Sequence, residues 1–315
     1  ATHRRCALVN LSLPRRPATS YGRAALLMLG STLSFAMMAL AIRYATATVP
    51  TTEIAFFRNL FGLIVLMPFI LRRGTGLPRT RHVGLYLART AIGLAAMLCG
   101  FWAVGHLPLA QAISLSYATP LFVTIGAALW LGERVRIRRW AAVAAGFVGV
   151  LVILRPGTGF TPGMVVALLG ALFAALVAIQ IKQLSRFDPA DTVVFYTYVF
   201  WVPMSLVPAL LQWVWPSPTA WLWLAATGVM GTFGQLLWTR ALALGEVSAL
   251  QPISFVQLPV LVGFGWWLFG ETVDIWTLAG AAIVLGANGY IAHRETMLQR
   301  RAATGSPVEA AKPGE

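Results

Sequence analysis

Ten stretches of about twenty mostly apolar residues, separated by short polar segments, occupy most of the chain. A helix of about twenty residues crosses a hydrocarbon core roughly 30 Å thick, so each stretch can span a membrane once. The stretches are continuously apolar, whereas strands of a membrane barrel would alternate in character over about ten residues. We therefore predict an all-α integral membrane protein with ten transmembrane helices. The expected limits are 24–46, 51–71, 83–105, 109–131, 138–155, 161–182, 191–212, 219–243, 247–269 and 275–293.

The composition excludes a soluble protein. Hydrophobic residues make up 58% of the 315 residues and charged residues only 11%, whereas soluble domains carry roughly 25% charged residues. The formal net charge is +14, but most Arg residues lie in short runs between apolar stretches, which is the pattern of a membrane topology signal. We therefore expect membrane lipid around the chain and no nucleic-acid partner.

The distribution of Lys and Arg predicts the orientation. Of the 24 Lys and Arg residues, 19 lie in the terminal segments and in or beside the loops after the second, fourth and sixth stretches. The opposite set of loops holds Arg155 alone, with Arg43 close to one span end. Because Lys and Arg accumulate on the cytoplasmic side, we expect both termini to be cytoplasmic. Residues 1–23 are expected to form a basic tail and residues 294–315 a disordered one.

The fourth and ninth stretches resemble each other. Aligning Pro120 with Pro259 brings Gly132-Glu133 into register with Gly270-Glu271 after one gap. We infer a duplication, with a first five-helix repeat at 24–155 and a second at 156–293.

Five spans are an odd number, so the second repeat enters the membrane from the opposite side and the two repeats are inverted. Transporters with inverted repeats bind their substrate near the midplane, between the repeats, and alternate access by rocking around it.

Three further motifs stand in the first half: Glu53-Ile54-Ala55-Phe56-Phe57-Arg58-Asn59 opens the second span, Phe101-Trp102-Ala103 closes the third, and Leu131-Gly132-Glu133 follows Pro120. With the five-plus-five arrangement, these motifs resemble the EamA family of the drug/metabolite transporter superfamily over residues 24–293. The resemblance implies a multi-pass carrier of small metabolites in a bacterial-type inner (plasma) membrane, often an exporter. It also implies a central cavity lined from both halves, on a scaffold that serves amino acids, nucleotide-like compounds, vitamins and opine-type metallophores.

Two arginines lie too deep in predicted spans to be simple end flanks. Arg58 stands five residues inward from Glu53, about 7.5 Å at the helical rise, and Arg89 eight residues inward from Arg81, about 12 Å. An ionisable side chain at membrane depth is costly unless it faces a wet cavity or a partner. We expect both to bind an anionic substrate group; anchoring to helix-end carbonyls or headgroups is the alternative.

Polar residues recur at steps of three in the fourth and ninth spans, which keeps each set near one helix face. We expect these stripes to bind substrate, with interhelical hydrogen bonding as the equal alternative. Other aromatic residues of the spans, Tyr198 and Trp201 among them, are expected to pack or to form the interfacial belt, and Trp238 is the exception that we assign to substrate binding. The stripe residues are Gln111, Ser114 and Tyr117 in the fourth span and Gln251, Ser254 and Gln257 in the ninth.

Pro120 and Pro259 fall near the middle of their spans, where each removes a backbone hydrogen bond, so we expect a hinge or a helix break there.

Glu53 is one of few carboxylates near a span. Its simpler role is a favourable negative charge at the N-terminus of a helix, and the alternative is a site that binds and releases a proton. Small residues such as Ala141, Ala145 and Gly149 suit close helix packing or a homodimer seam.

Several chemistries are absent from the sequence. Lys182 and Lys312 are the only lysines, and neither follows the glycine of a phosphate-binding loop, so ATP hydrolysis is excluded. The four histidines are isolated and Cys6 and Cys99 are too few for a thiolate site. We expect no metal and no cofactor.

These observations predict a secondary active transporter, not an enzyme, that moves a small polar anionic or zwitterionic metabolite by alternating access. An amino-acid-like or opine-like substrate and export are favoured. An uptake carrier for a nucleotide-like or vitamin substrate, such as S-adenosylmethionine or riboflavin, is the alternative, and a membrane-embedded enzyme is the alternative of a different class. Proton coupling and a homodimer are further hypotheses.

Overall fold

The computed structural model describes residues 18–71, 80, 82–130, 137–155, 161–184, 187–188, 190–244, 250 and 253–304. Within these residues the secondary structure is helical, without strands. The helices are α1 (Ala18–Ala45), α2 (Thr51–Leu71), α3 (Val83–His106), α4 (Leu109–Ser116), α5 (Thr119–Trp130), α6 (Ile137–Leu154), α7 (Pro162–Leu184), α8 (Ala190–Leu210), α9 (Pro218–Leu244), α10 (Gln257–Phe269) and α11 (Ile275–Thr304).

Most of these helices are long and apolar enough to cross a membrane. The described residues contain 8 such candidate spans, one of which covers α4 and the first part of α5. Two shorter apolar helices, Trp140–Leu154 and Gln257–Phe269, complete the set. The prediction of an all-α membrane protein is confirmed, and the helices are consistent with ten spans.

The fourth predicted span is broken into two helices. α4 ends at Ser116, a turn follows at Tyr117 and Ala118, and α5 begins at Thr119. Pro120 therefore lies in the first turn of α5, where proline is tolerated because amides there have no intrahelical partner. The ninth span shows the same arrangement, with a turn at 255–256 and Pro259 in the first turn of α10.

The first and last helices run beyond the limits expected from apolarity. α1 begins at Ala18, six residues before the expected start, and α11 continues to Thr304 instead of ending near residue 293. Residues 1–17 and 305–315 of the expected tails lie outside the described part of the chain.

Helices of the first half pack against helices of the second: α1 along α9, α6 along α11, α3 along α7, and α2 against α8 and α9. Small residues permit close approach between α6 and α11. A Cβ atom on Gly149 would lie 2.8 Å from the carbonyl oxygen of Gly280. Gly149 thus serves packing within the chain, while Ala141 and Ala145 are exposed on the outer face of α6, and the homodimer seam stays a prediction.

The turns at one end of the bundle meet each other. We call this the far end, because it is remote from the start of α1 and from the end of α11. It contains the turns after α1, α3, α8 and α10, which interact through side-chain contacts described below. The opposite end is called the near end.

Candidate functional site

The two arginines singled out by the sequence lie on one aromatic ring. Arg58 on α2 and Arg89 on α3 are 7% and 6% exposed. Their Cζ atoms lie 5.5 Å and 6.0 Å from the centroid of the Trp201 ring on α8, and Arg58 Cζ lies 5.4 Å from that of Tyr198. Guanidinium groups at this distance are attracted to the ring quadrupole. We call these four residues the arginine–tryptophan cluster.

A short hydrogen-bond chain positions Arg58. Its Nη1 donates to Asn59 Oδ1 at 2.9 Å, and Asn59 Nδ2 donates to Ser205 Oγ at 3.2 Å. The Ser205 hydroxyl in turn donates to the Trp201 carbonyl oxygen. Gly231 on α9 leaves room for the guanidinium, because a Cβ atom there would lie 3.2 Å from Arg58 Nε.

Arg89 is positioned by α8 and by its neighbours on α3. Its Nη1 donates to the hydroxyl oxygen of Thr197, one turn before Trp201. Trp201 Nε1 donates to the Thr90 carbonyl oxygen at 2.9 Å. A Cβ atom on Gly93 would lie 2.9 Å from Trp201 Cζ2, so the ring fits only because this residue is glycine.

The cluster carries positive charge that the described residues do not balance. In the described part of the chain, no carboxylate oxygen lies within 4.0 Å of either guanidinium group. The Nε atoms of Arg58 and Arg89 are buried and have no hydrogen-bond partner among these residues. Burying unpaired charge is costly. The cluster is therefore suited to an anionic group, which would supply both acceptors and charge.

The two helix breaks contact each other elsewhere in the bundle. The Tyr117 hydroxyl donates to the Ser254 carbonyl oxygen at 3.3 Å, and the Tyr117 ring meets the Phe255 ring edge-on at 5.4 Å. The first break comes from the first half of the chain and the second from the second half. The structure therefore brings Tyr117 and Ser254 together, but in a group separate from the arginine–tryptophan cluster.

Asn288 on α11 stabilises the first break. Both Leu121 and Phe122 donate their N–H groups to Ala118 O, so the Tyr117 carbonyl has no helical partner. Asn288 Nδ2 donates to this carbonyl at 2.8 Å. Asn288 was not expected from the sequence, because a single amide in an apolar helix does not reveal which backbone group it meets.

The remaining stripe residues are dispersed. Ser114 is fully buried and donates to Ala110 O in its own helix, whereas Gln111 lines a cavity of about 330 Å³ at the far end. Gln257 is the first residue of α10, beyond the turn that separates it from Ser254. The common polar face of the ninth span stays a prediction.

The other candidate residues have these positions. Gln251 lies outside the described residues. Trp238 packs against the apolar side chains of Met28 and its neighbours toward the near end. Pro120 is half-buried and Pro259 is exposed.

Glu53 lies at the far end and is fully buried. Its Oε2 accepts the backbone N–H of Val214 at 3.1 Å, which ties the start of α2 to the turn after α8. Its Oε1 is buried without a hydrogen-bond partner in the described part. One carboxylate oxygen is thus available for a proton.

Tyr198 is buried and Trp201 half-buried, in agreement with the expected packing role. Their rings also lie against guanidinium groups, which was not expected from the sequence. No signal in the sequence distinguishes them from the other aromatic residues of the spans. Their role depends on the rotation of α8 against α2 and α3.

Comparison with known proteins identifies one family. The model of the EamA-like transporter family matches residues 22–155 and again residues 161–291. One solved crystal structure superposes with a TM-score of 0.61 at 22% identity, over 89% of this chain and 99% of the other. At this identity the likeness concerns the fold alone.

Several relatives of known function align with this chain over most of their length. A riboflavin transporter of Vibrio cholerae is 32% identical over 88% of this chain and 95% of its own. The pseudopaline exporter CntI of Pseudomonas aeruginosa is 32% identical over 83% and 93%, respectively. An S-adenosylmethionine uptake transporter of Rickettsia prowazekii is 27% identical over 80% and 86%.

Proposed function

We propose a transport cycle and a substrate class for this chain, which belongs to the EamA-like transporter family. The family membership confirms the resemblance found in the sequence and makes the chain a multi-pass membrane transporter. We propose that it is a secondary active carrier in the inner membrane that moves a small anionic or zwitterionic metabolite by alternating access.

Alternating access is supported by the duplication. One family model matches two successive segments, and the helix breaks of the two halves contact each other. Five spans in each half imply opposite orientations, which is the arrangement of carriers that rock around a central site. The Lys and Arg distribution supports a far end that faces away from the cytoplasm.

The substrate class rests on one observation, the uncompensated positive charge of the arginine–tryptophan cluster. A guanidinium group holds a carboxylate or phosphate with two parallel hydrogen bonds, and two guanidinium groups on one ring can hold two such groups. A substrate with carboxylates would balance the buried charge. Among the relatives, the name pseudopaline exporter supports an opine-like substrate and outward transport.

A riboflavin-like substrate is the second candidate. The Tyr198 and Trp201 rings lie beside the guanidinium groups, and aromatic faces can stack on a planar heterocycle. Riboflavin transporters of several organisms are about as similar to this chain as the pseudopaline exporter. This candidate uses the rings of the cluster and leaves its charge unbalanced.

Counterflow into proteoliposomes tests the proposal. Purified protein is reconstituted with an unlabelled compound inside, and uptake of the same compound in labelled form is measured. The panel contains an opine-type dicarboxylate, an α-amino acid, S-adenosylmethionine and riboflavin. We expect accumulation of the opine-type or amino-acid compound.

The outcomes separate the candidates. Accumulation of riboflavin alone would replace the anionic class by the flavin class. Accumulation of no compound in the panel, by protein that is folded and inserted, would contradict the proposed substrate class. Loading cells with the transported compound and following its release then tests export.

A further inference from the structure

Arg43, in the last turn of α1, makes four hydrogen bonds at the far end. Its Nη1 donates to the carbonyl oxygens of Val104, Gly105 and Leu107, at 3.1, 2.7 and 3.1 Å. Its Nη2 donates to Glu271 Oε1 at 2.8 Å. The three carbonyls lie at the end of α3, where carbonyls lack intrahelical partners and a cation is favoured by the helix dipole. Arg43 therefore fastens α1 to the end of α3.

Glu271 uses both carboxylate oxygens. While Oε1 accepts from Arg43, Oε2 accepts the backbone N–H of Leu109, the first residue of α4, at 2.8 Å. Gly270 precedes it with φ 63°, the left-handed conformation that ends α10, and the Glu271 N–H donates to Gly265 O at 3.0 Å. This helix cap holds the carboxylate against the turn between α3 and α4.

The contact joins the two halves of the chain. Arg43 and the turn between α3 and α4 belong to the first segment that matches the family model, and Glu271 belongs to the second. Their side chains are 21% and 13% exposed. A second ion pair, Arg155 with Asp274, also joins the halves at this end, but it is more exposed, at 30% and 42%.

We propose that Arg43 and Glu271 form a latch that closes the far end and must open each time the substrate site is exposed there. The latch rests on the proposed alternating-access cycle. Its partners are backbone groups and one carboxylate of the chain itself, so it can open and reform without a ligand. Arg43 and Glu271 act here on the conformation of the bundle and are positioning residues.

Both side chains are required in their present chemical form. Arg43 and the Leu109 N–H meet different oxygens of the Glu271 carboxylate. Gln at position 271 puts an NH2 donor in place of one of these oxygens, so one of the two donors loses its acceptor. Lys at position 43 keeps the charge but cannot form the fork that reaches three carbonyls and a carboxylate. Each substitution should therefore favour the open far end.

Cysteine labelling from each side of the membrane tests the latch. The reporter is Ser114→Cys, a fully buried position on α4 inward from the latch, in a chain with Cys6→Ser and Cys99→Ser. A membrane-impermeant methanethiosulfonate reagent is added to right-side-out and to inside-out vesicles, and the labelling rate is measured. If Ser114→Cys does not insert, Ser254→Cys serves as the reporter.

We expect Glu271→Gln to raise the labelling rate from the far-end side by about tenfold and to lower it from the near-end side, since a charge-assisted bond is lost. Arg43→Lys should have a smaller effect of the same sign. Asp274→Asn is the matched control: it removes a carboxylate at the same end from an exposed pair, which contributes little, and should leave both rates unchanged.

Three results would overturn the latch: unchanged rates in both latch variants, an equal rise with Asp274→Asn, or a rise from both sides, which indicates general destabilisation. The readout needs no substrate. An unchanged labelling rate would therefore contradict the latch without affecting the proposed substrate class. Failed counterflow would contradict the substrate class without affecting the labelling result.

Discussion

Trp201 is the side chain that the two buried guanidinium groups share. It lies within 6.0 Å of both Cζ atoms and is itself held by the hydrogen bond to Thr90 O. Gly93 leaves the space that its ring occupies. The positions of Arg58 and Arg89 relative to each other are thus set by one aromatic residue of another helix.

Replacing Trp201 by Leu should reduce transport. Each lost cation–π contact and the lost hydrogen bond contribute about 1 kcal/mol, so we expect at least about a tenfold loss of flux per inserted molecule. Trp201→Phe keeps an aromatic face and should retain more flux. Equal losses in the two variants would show that the ring volume matters and the aromatic face does not.

Glu53 is the candidate proton site of the cycle. Gln at this position retains an oxygen for the Val214 N–H but cannot take up and release a proton. In proteoliposomes we expect Glu53→Gln to abolish accumulation driven by a pH gradient, while exchange at equal pH continues. Accumulation that still follows the pH gradient would exclude Glu53 as the proton site.

The sequence identified some of these residues and missed others for physical reasons. Arg58 and Arg89 are visible because a charge in a long apolar run is rare and costly. Trp201 is not, since its contacts depend on how α8 is rotated. Arg43 stands near a span end, so the sequence indicates only a flanking charge. Three of its partners are backbone carbonyls, which cannot be recognised from residue types. Glu271 was noticed only as part of the repeated Gly-Glu motif.

Among the helices, the breaks in the fourth and ninth spans show how far the local sequence determines where a helix ends. Pro120 and Pro259 predicted an interruption in the fourth and ninth spans, and the turns lie two to three residues before Pro120 and three to four residues before Pro259. The place of the turn depends on which carbonyl finds another partner, as Tyr117 O does with Asn288. That partner is on a distant helix, so the exact limits could not be read from the local sequence.

Other element limits show what apolarity can and cannot predict. α2 begins and ends where its apolar stretch does, at residues 51 and 71. α11 continues eleven residues past its expected end at 293, because the residues that follow include good helix formers such as Glu295, Leu298 and Gln299. Apolar length therefore predicts the apolar part of a helix and not a polar extension of the same helix.

Close packing of α6 against α11 gives a prediction at this scale. A Cβ atom on Gly280 would lie 2.6 Å from Gly149 O and 2.5 Å from Ile153 Cγ1. Gly280→Ala should therefore cost about 1–3 kcal/mol through overpacking and lower the unfolding midpoint in detergent by several degrees. Gly286→Ala, on the same helix with open space around it, is the control and should have little effect. Equal midpoints would contradict this packing.

At the scale of the molecule, contacts join the two halves at both ends. At the far end Arg43 meets Glu271, and at the near end Asp188 accepts hydrogen bonds from Thr80 and Tyr86, at 2.6 and 2.9 Å. The partners of Asp188 belong to the other half of the chain, so the local sequence around Asp188 does not indicate them. Movement of one half against the other must break contacts at one end and can keep those at the other.

The orientation of the whole molecule is also testable. From the Lys and Arg distribution we expect both termini in the cytoplasm and the latch outside. A C-terminal reporter that is active only outside the cytoplasm should therefore be silent, and one that is active only inside should give full signal. The opposite pattern would place the far end in the cytoplasm.

We propose that the arginine–tryptophan cluster binds the anionic group of the substrate. The test is counterflow of the transported compound, measured per inserted molecule, in variants with Arg58 or Arg89 replaced by Gln or by Lys. We expect Gln at either position to abolish flux and Lys to reduce it strongly, because Lys keeps the charge but not the planar fork. Near-normal flux in Arg58→Gln and Arg89→Gln would contradict anion binding by the cluster and leave both arginines with a structural role.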